Sequence, residues 1–424
     1  MNKVSIDSNF TKLGMLQKEN KTDGISGNLG VEPEDFIVQE IPLYEPMGSG
    51  EHCYYTLEKR NRTTMACISE LAKYLNISEV DIGYAGLKDK HAVTSQMVSI
   101  RMTSKDAPEI KTGGFTMKFL GRHQNKIKIG HLKGNRFILN LENLEKNYQE
   151  KLEKKLVAFR QVGFPNYFGF QRFGSRLNNH LAGISVLKKD FKEACRLIIG
   201  DPTNEANKQA FQAREYFEKG DLQKSFDTFP LYFFNERKMI KELQKGDNKE
   251  KRAYLKCDRK TREILFNASQ SYLFNLVASE RINRGLQILK GDVALLASNL
   301  APFIVEDPVV ENKRLDSGEI HIGGPLFGFK MIPARDEPLA IEDQVLADAG
   351  VTREDFASAK DEIKFQGSRR PIMIKIPDIS FEEVSEDKAK LSFFLPSGSY
   401  ATVVLQEIFR KIQVDKKLQL NNEF

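Results

Sequence analysis

The sequence predicts an α+β fold, in which one mixed domain of strands and helices is interrupted by a mostly helical insert. Period-two apolar alternation marks the stretch from about residue 31 to 185, and it returns after about 365 in Ile372-Met-Ile-Lys-Ile376 and Leu391-Ser-Phe-Phe-Leu395. Between these, from about 190 to 350, long charged helical segments are separated by Gly-Asp and Asp-Pro breaks. At 424 residues the chain exceeds one ordinary core. The expected division is therefore 1–190, an insert over 191–364, and 365–424, with the outer pieces forming one domain.

The elements follow in order. Residues 1 to about 30 are polar without clear period and are expected to form a loosely held arm. Thr64 to Leu75 predicts an amphipathic helix with Met65, Ile68, Leu71, Ala72 and Leu75 on one face. Val80, Ile82 and Tyr84 alternate as a strand that feeds a loop containing Gly83 and Gly86. Lys126-Ile-Lys-Ile129 and Phe137-Ile-Leu-Asn-Leu141 read as paired strands around a turn at Gly134-Asn135. In the insert, helices are expected over 201–219 and 269–285, and residues 200–260 read as an extra insertion of mixed-sign, solvated helices. Gly323-Gly-Pro325 is read as a tight turn. A Pro-Ser-Gly turn at 396–398 then leads to an apolar helix with Val403, Val404, Ile408 and Phe409.

Composition narrows the class. Forty per cent hydrophobic and 29 per cent charged residues describe a soluble globular protein, and no apolar run approaches the ~20 residues that span a bilayer. No signal-peptide h-region opens the chain. Cys53, Cys67, Cys195 and Cys257 form no C-x-x-C pair and no zinc spacing, so they are expected to be reduced thiols in a cytoplasmic protein. The histidines are dispersed, and His52 and His91 are not spaced as a metal pair. A net charge of +6 is too small by itself to argue for nucleic acid. Its distribution says more, because no acidic residue falls between Ile110 and Leu141 while Lys111, Lys118, Arg122, Lys126, Lys128, Lys133 and Arg136 do. That stretch is either a solvated strand face or a surface for phosphates.

The most informative segment is Gly86-Leu-Lys-Asp-Lys-His-Ala-Val-Thr-Ser-Gln96, which sets Asp89 between Lys88 and Lys90. The cations favour an ionised carboxylate and attract phosphate. Such an Asp serves as a nucleophile or general base, or is a solvated turn residue. The segment resembles the signature loop of the TruD family of tRNA pseudouridine synthases. Further blocks recur in the family's order: Pro33-Glu-Asp-Phe36 with Val38 and Glu40, Gly50-Glu-His52 with Leu57-Glu-Lys59 and Asn61-Arg-Thr63, Pro165-Asn-Tyr-Phe-Gly169 with Gln171-Arg-Phe-Gly174, and Phe394-Leu-Pro-Ser-Gly-Ser-Tyr-Ala-Thr402. Phe266-Asn-Ala-Ser-Gln-Ser-Tyr-Leu-Phe-Asn275 resembles the helix that opens the family's inserted domain.

The resemblance implies a pseudouridine-synthase catalytic domain with a bent, mainly antiparallel sheet. It implies isomerisation of a uridine in tRNA, the family's usual target being position 13 in the D arm, with Asp89 as nucleophile and the base flipped out of its stack. Phe36, Asn166 and Tyr400 fall at positions that contact substrate, and Phe168 in the same pocket. Several relatives carry Phe where this chain has Tyr400. Arg172 is expected to pair with the Asp89 carboxylate or with a phosphate. The chemistry requires no cofactor and no metal, and the expected partner is tRNA, with no membrane and a monomeric protein. Two alternatives are the same chemistry on another RNA and a non-catalytic RNA-binding or chaperone protein.

Overall fold

A computed structural model describes residues 3–5, 11–16, 24–102, 109–359 and 365–415. The chain divides into two compact units: Met1–Asp7 with Lys18–Phe164 and Lys375–Phe424, and Ser8–Gln17 with Pro165–Ile374. Helix and strand are mixed, as expected. No helix among the described residues is long and apolar enough to cross a membrane.

The first stretch holds β1 (Lys3–Ser5), β2 (Ile25–Leu29), β3 (Phe36–Pro42), β4 (His52–Arg60), α1 (Thr64–Leu75), β5 (Ile82–Tyr84) and β6 (Val93–Arg101). It continues through β7 (Ile110–Lys111), β8 (Phe115–His123), β9 (Leu132–Glu142), α2 (Tyr148–Gln161) and the short β10 (Phe164–Pro165). The second unit supplies α3 (Asn179–Leu187), α4 (Phe191–Ile199), α5 (Lys208–Glu218), α6 (Leu222–Thr228), α7 (Phe234–Leu243), α8 (Glu250–Leu255) and α9 (Arg259–Asn283). There follow β11 (Val293–Leu296), β12 (Pro302–Ile304), α10 (Pro308–Ser317), β13 (Ile320–Leu326), α11 (Asp336–Asp348), α12 (Arg353–Ser358), β14 (Ser368–Pro371) and β15 (Met373–Ile374). The chain returns with β16 (Ser380–Ser385), β17 (Lys388–Pro396), α13 (Ala401–Ile408) and β18 (Phe409–Asp415).

Among the described residues of the first unit, twelve strands make one sheet of order β1-β18-β2-β9-β3-β6-β4-β8-β7, with β17 also on β9, β16 on β17 and β5 on β6. The β3–β6 and β2–β18 pairs are parallel. The long ladders β3–β9, β4–β6, β4–β8 and β9–β17 are antiparallel. Helix α1 starts where the Thr63 hydroxyl accepts from the Ala66 N–H and stops at Asn76 in the left-handed region. Its buried stripe is Thr64, Cys67, Ile68, Leu71 and Ala72. Met65, expected inside, is 40% exposed; the 100° step per residue turns Cys67 inward instead.

Three further expectations are corrected in this unit. The β8–β9 connection is 124–131, with Gly130 at φ +90°, so Lys126–Ile129 is loop and Gly134-Asn135 lies inside β9. Gly134 is there for close approach: a Cβ on it would lie 2.1 Å from the Leu395 carbonyl oxygen of β17. The N-terminal arm is built in where it is described, β1 pairing β18 and β2 pairing both β18 and β9. The rest of that expectation falls on 1–2, 6–10 and 17–23, outside the described residues. Phe409 opens β18 rather than closing α13.

In the second unit α9 is the central helix. Asp258 caps it by accepting from the Thr261 N–H, so it starts ten residues before the expected Ser269. Helix α3 packs on it through Gly183, where a Cβ would lie 2.0 Å from Ser269 Oγ and 2.3 Å from the Leu265 carbonyl oxygen. Leu13 and Met15 are buried in this unit, and Gly14, at φ +73°, fits closely over the Tyr272 carbonyl. Residues 201–207 form turns, and α5 begins only at Lys208, where the Asn207 side chain accepts from the Ala210 N–H. The expected solvation of 200–260 fails at Arg214, which is 2% exposed. Its guanidinium donates to the Ile198 and Ile199 carbonyls at 2.8 and 2.9 Å, pairs with Glu205 at 2.9 Å and lies over the Phe229 ring. A four-stranded sheet of order β12-β11-β13-β14 completes the unit.

Candidate active site

In the first unit, β5 leads into the loop 85–92 and β6 leads out of it. The loop is held by polar side chains from β6 and α1. Gln96 Nε2 donates to the Gly86 carbonyl at 3.0 Å, and the Lys88 N–H donates to Thr64 Oγ1 at 3.0 Å. Thr64 in turn donates to Gln96 Oε1 at 2.9 Å, which closes a buried network.

Lys88 points inward. Its ammonium pairs with Glu40 of β3 at 2.7 Å and donates to Asn135 Oδ1 of β9 at 2.7 Å, with both charged side chains under 5% exposed. Lys90, the other flanking cation, is exposed. Lys59, on β4, is 2% exposed, and its ammonium donates to the Asp89 carbonyl at 2.6 Å. Burial pulls the Lys59 pKa down to about 8 against the opposing charge of Asp89. Asp89 is half-buried. Desolvation holds its pKa above the ordinary carboxylate range, with Lys59, its own backbone N–H and Lys88 pulling the other way. Among the described residues its carboxylate makes no ion pair, and the main chain beside it carries the anchoring bonds.

Phe36 opens β3 opposite Leu139 of β9 and is 6% exposed, its ring edge-on to Phe137. Tyr400 is half-buried at the N-cap of α13, four residues beyond Pro396, the register partner of Gly134. Phe36, Asp89 and Tyr400 are thus carried by β3, β6 and β17, of which β3 and β17 flank β9 and β6 is the next strand beyond β3.

Asn166 and Phe168 belong to the second unit. Asn166 is buried; its Nδ2 donates to the Pro371 carbonyl at 3.0 Å and its Oδ1 accepts from Arg370 at 2.6 Å. The Arg370 guanidinium lies 4.2 Å from the centroid of the Phe168 ring. Asn275 of α9 fixes the Phe168 main chain, accepting from its N–H and donating to its carbonyl. Arg172 donates to Ser271 Oγ at 3.1 Å and lies 5.5 Å over Phe168. The cations beside Asp89 in its own unit are Lys59 and Lys88, rather than Lys90. A cavity of about 210 Å³ is lined by Phe168, Arg172, Gln270, Ser271 and Phe365.

Sequence reasoning does not single out Lys59 or Arg370 as site residues. Tyr55, Leu57 and Lys59 share one face of β4, so a lysine at the end of an inward-facing apolar row is the available signal for the first. Nothing in Ser368-Arg-Arg-Pro371 separates Arg370 from its neighbour.

The family model for tRNA pseudouridine synthase D (TruD) matches residues 12–408. The tRNA pseudouridine synthase D of Geotalea daltonii is 36% identical over 395 residues, covering 92% of this chain and 98% of that one. That of Geobacter sulfurreducens is 37% identical over 391 residues, covering 92% and 95%. The TruD crystal structure from Methanosarcina mazei superposes with a TM-score of 0.80 at 29% identity, covering 97% of this chain and 99% of that one. With the family model matching residues 12–408 of this chain and relatives this similar along nearly their whole length, the chain belongs to the TruD family of tRNA pseudouridine synthases.

Proposed function

We propose that this protein isomerises uridine to pseudouridine in tRNA, at position 13 of the tRNA, in the D arm, with Asp89 as the nucleophile acting on a flipped-out base. The observation that carries the reading is the state of Asp89: a carboxylate with no ion pair among the described residues, on a loop whose main chain is fixed by Lys59 and Thr64. A nucleophile must be held still while its oxygen lone pairs remain available, and anchoring through the backbone meets both needs.

The net reaction breaks the N1–C1′ bond, joins C5 to C1′, releases the C5 hydrogen as a proton and returns a proton to N1, so that product and substrate have the same atoms. No electrons are gained or lost. Three first steps for Asp89 satisfy this balance equally: bonding to ribose C1′, bonding to the uracil, or removing the C2′ proton. Lys59 supports the anionic form in each case. Phe36 and Tyr400 are proposed as stacking or edge contacts for the base, and Asn166 and Phe168 as further substrate contacts. As it stands Asn166 acts through Arg370, which it holds over Phe168.

The test is tritium release from C5-labelled uridine in an unmodified tRNA transcript, with chelator present and no added cofactor. Asp89→Asn should lower release by at least about four orders of magnitude while tRNA affinity changes by no more than a few-fold. Substantial release by a folded, RNA-binding Asp89→Asn protein overturns the assignment. Release at the corresponding rate from a D arm lacking U13 overturns the position.

A further inference from the structure

A second recess lies in the first unit, at the far end of β4 from Asp89. It has a volume of about 770 Å³ and is lined chiefly by Tyr44, His52, His123, Lys126, Lys128 and His131. Among the described residues no carboxylate lines it. The nearby Glu51 is paired with Arg101 at 2.8 Å. Its volume falls within the range of small-ligand pockets, about 300–1,000 Å³.

The recess is built rather than incidental. Tyr44 and Tyr54 stack on His123, each with ring centroids 5.1 Å apart. The Tyr44 hydroxyl is hydrogen-bonded to His131 Nδ1. The loop 124–131 that forms its rim is pinned at several points: Tyr54 donates to the Asn125 carbonyl at 2.7 Å, the Ile127 N–H to Ser99 Oγ at 2.9 Å, and the Gly130 N–H to the Ala85 carbonyl at 2.8 Å. Gly83 permits this seating, since a Cβ there would lie 2.4 Å from the Ile127 carbonyl oxygen. The rim presents Lys128 outward, while His52, 8% exposed, keeps a buried Nδ1 without a hydrogen-bond partner. Among the described residues no three His, Cys, Asp or Glu side chains converge as a metal set. Cations, imidazoles and a half-buried tyrosine without a counter-acid suit a phosphodiester and the nucleotide attached to it.

We propose that this recess is a second RNA-binding site, taking a backbone phosphate and its nucleotide at a distance from the reacting uridine. His52 and Lys59 stand seven residues apart on β4, which puts the His52 wall of the recess ~23 Å along the strand from the Asp89 end, while the opposite rim reaches the start of the Asp89 loop through the Gly130–Ala85 bond. The site deepens the proposed function by naming where the RNA is held apart from its target base.

The test compares wild type with Lys128→Gln and with the double variant Lys126→Gln/Lys128→Gln, using an unmodified tRNA transcript. Affinity is measured over the range ~0.05 to ~0.3 M salt, and single-turnover pseudouridine formation at saturating RNA. Each phosphate interaction removed should lower the slope of log affinity against log salt by about 0.7–0.9. The double variant should bind roughly ten-fold more weakly near physiological salt, with an unchanged rate at saturation. Lys126 also donates to the Val80 carbonyl, so if the double variant's thermal midpoint falls, the slope of Lys128→Gln alone is decisive. An unchanged slope overturns the site, as does a lowered saturating rate at unchanged affinity. If wild type forms no pseudouridine yet the slope still drops, the proposed chemistry fails and the recess stands. If it forms pseudouridine and the slope does not move, the recess alone fails.

Discussion

Lys59→Met replaces a buried ammonium by a neutral side chain of similar length and should change the pH dependence of stability more than stability itself. In the folded protein Lys59 titrates at about 8, against 10.5 for an ordinary lysine. The unfolded chain therefore holds more protons between these values, and stability rises with pH across that window. Below pH 8 the penalty is fully present, about 3 kcal/mol at pH 7 from ~1.4 kcal/mol per pH unit. By about pH 9.5 about 2 kcal/mol of it is relieved. The variant escapes the penalty but loses the 2.6 Å bond to the Asp89 carbonyl, worth about 1.5–3 kcal/mol for a charged donor. At pH 7 the two effects nearly cancel. Between about pH 7 and 9.5 the wild type should gain about 2 kcal/mol on the variant. Urea unfolding read by pulsed thiol labelling, with the labelled cysteines identified peptide by peptide, reports on the first unit through Cys53 and Cys67, which are buried there. A stability difference that stays constant across this pH range would refute the depressed Lys59 pKa. Activity offers a second readout. Lys59 lowers the Asp89 pKa, so removing it should shift the acid limb of the rate profile to higher pH.

Lys88→Met should destabilise the first unit by about 3–5 kcal/mol, because it strands Glu40 in the interior. Adding Glu40→Leu should recover much of that loss in the same thiol assay. Asn166→Ala removes the bonds to Pro371 and Arg370 and should lower the stability of the second unit by about 2–4 kcal/mol, read from Cys195 and Cys257 labelling. Gly183→Ala pushes a methyl group into Ser269 and the Leu265 carbonyl. It should cost about 1–3 kcal/mol, visible as a lower thermal midpoint.

The limits of α1 are legible from its apolar stripe, Ile68, Leu71 and Ala72, and the structure adds the Thr63 cap and the Asn76 stop at its ends. The Asp89 loop is legible because glycine spacing and charge occur together over a few residues. Gly134-Asn135 misleads because the pair reads alike as a hairpin turn and as a strand glycine making room for a neighbour, and only the β9–β17 ladder decides. Lys59 and Arg370 are illegible for a related reason. Lys59 ends an inward-facing row, but what its ammonium binds is set only by the loop above it, and Arg370 gains its meaning from Asn166, far earlier in the chain. Long-range pairing is what local pattern does not encode.

The C-terminal end of α4 is gripped by two cations at once. Arg176 donates to the carbonyls of Ile198, Gly200 and Asp201, and Arg214 reaches Ile198 and Ile199 from α5. Desolvation, reinforced by the neighbouring Arg214, pulls the Arg176 pKa down to about 10. Two guanidinium groups crowd one helix end, and Glu205 and Glu236, which offset the charge, both come from the 200–260 segment. That segment is therefore no detachable module. Excising it would remove Arg214 together with Glu205 and Glu236, leave the Ile199 carbonyl without its side-chain donor and strip Arg176 of two of its three acceptors, so a shortened chain would need a redesigned α4 terminus.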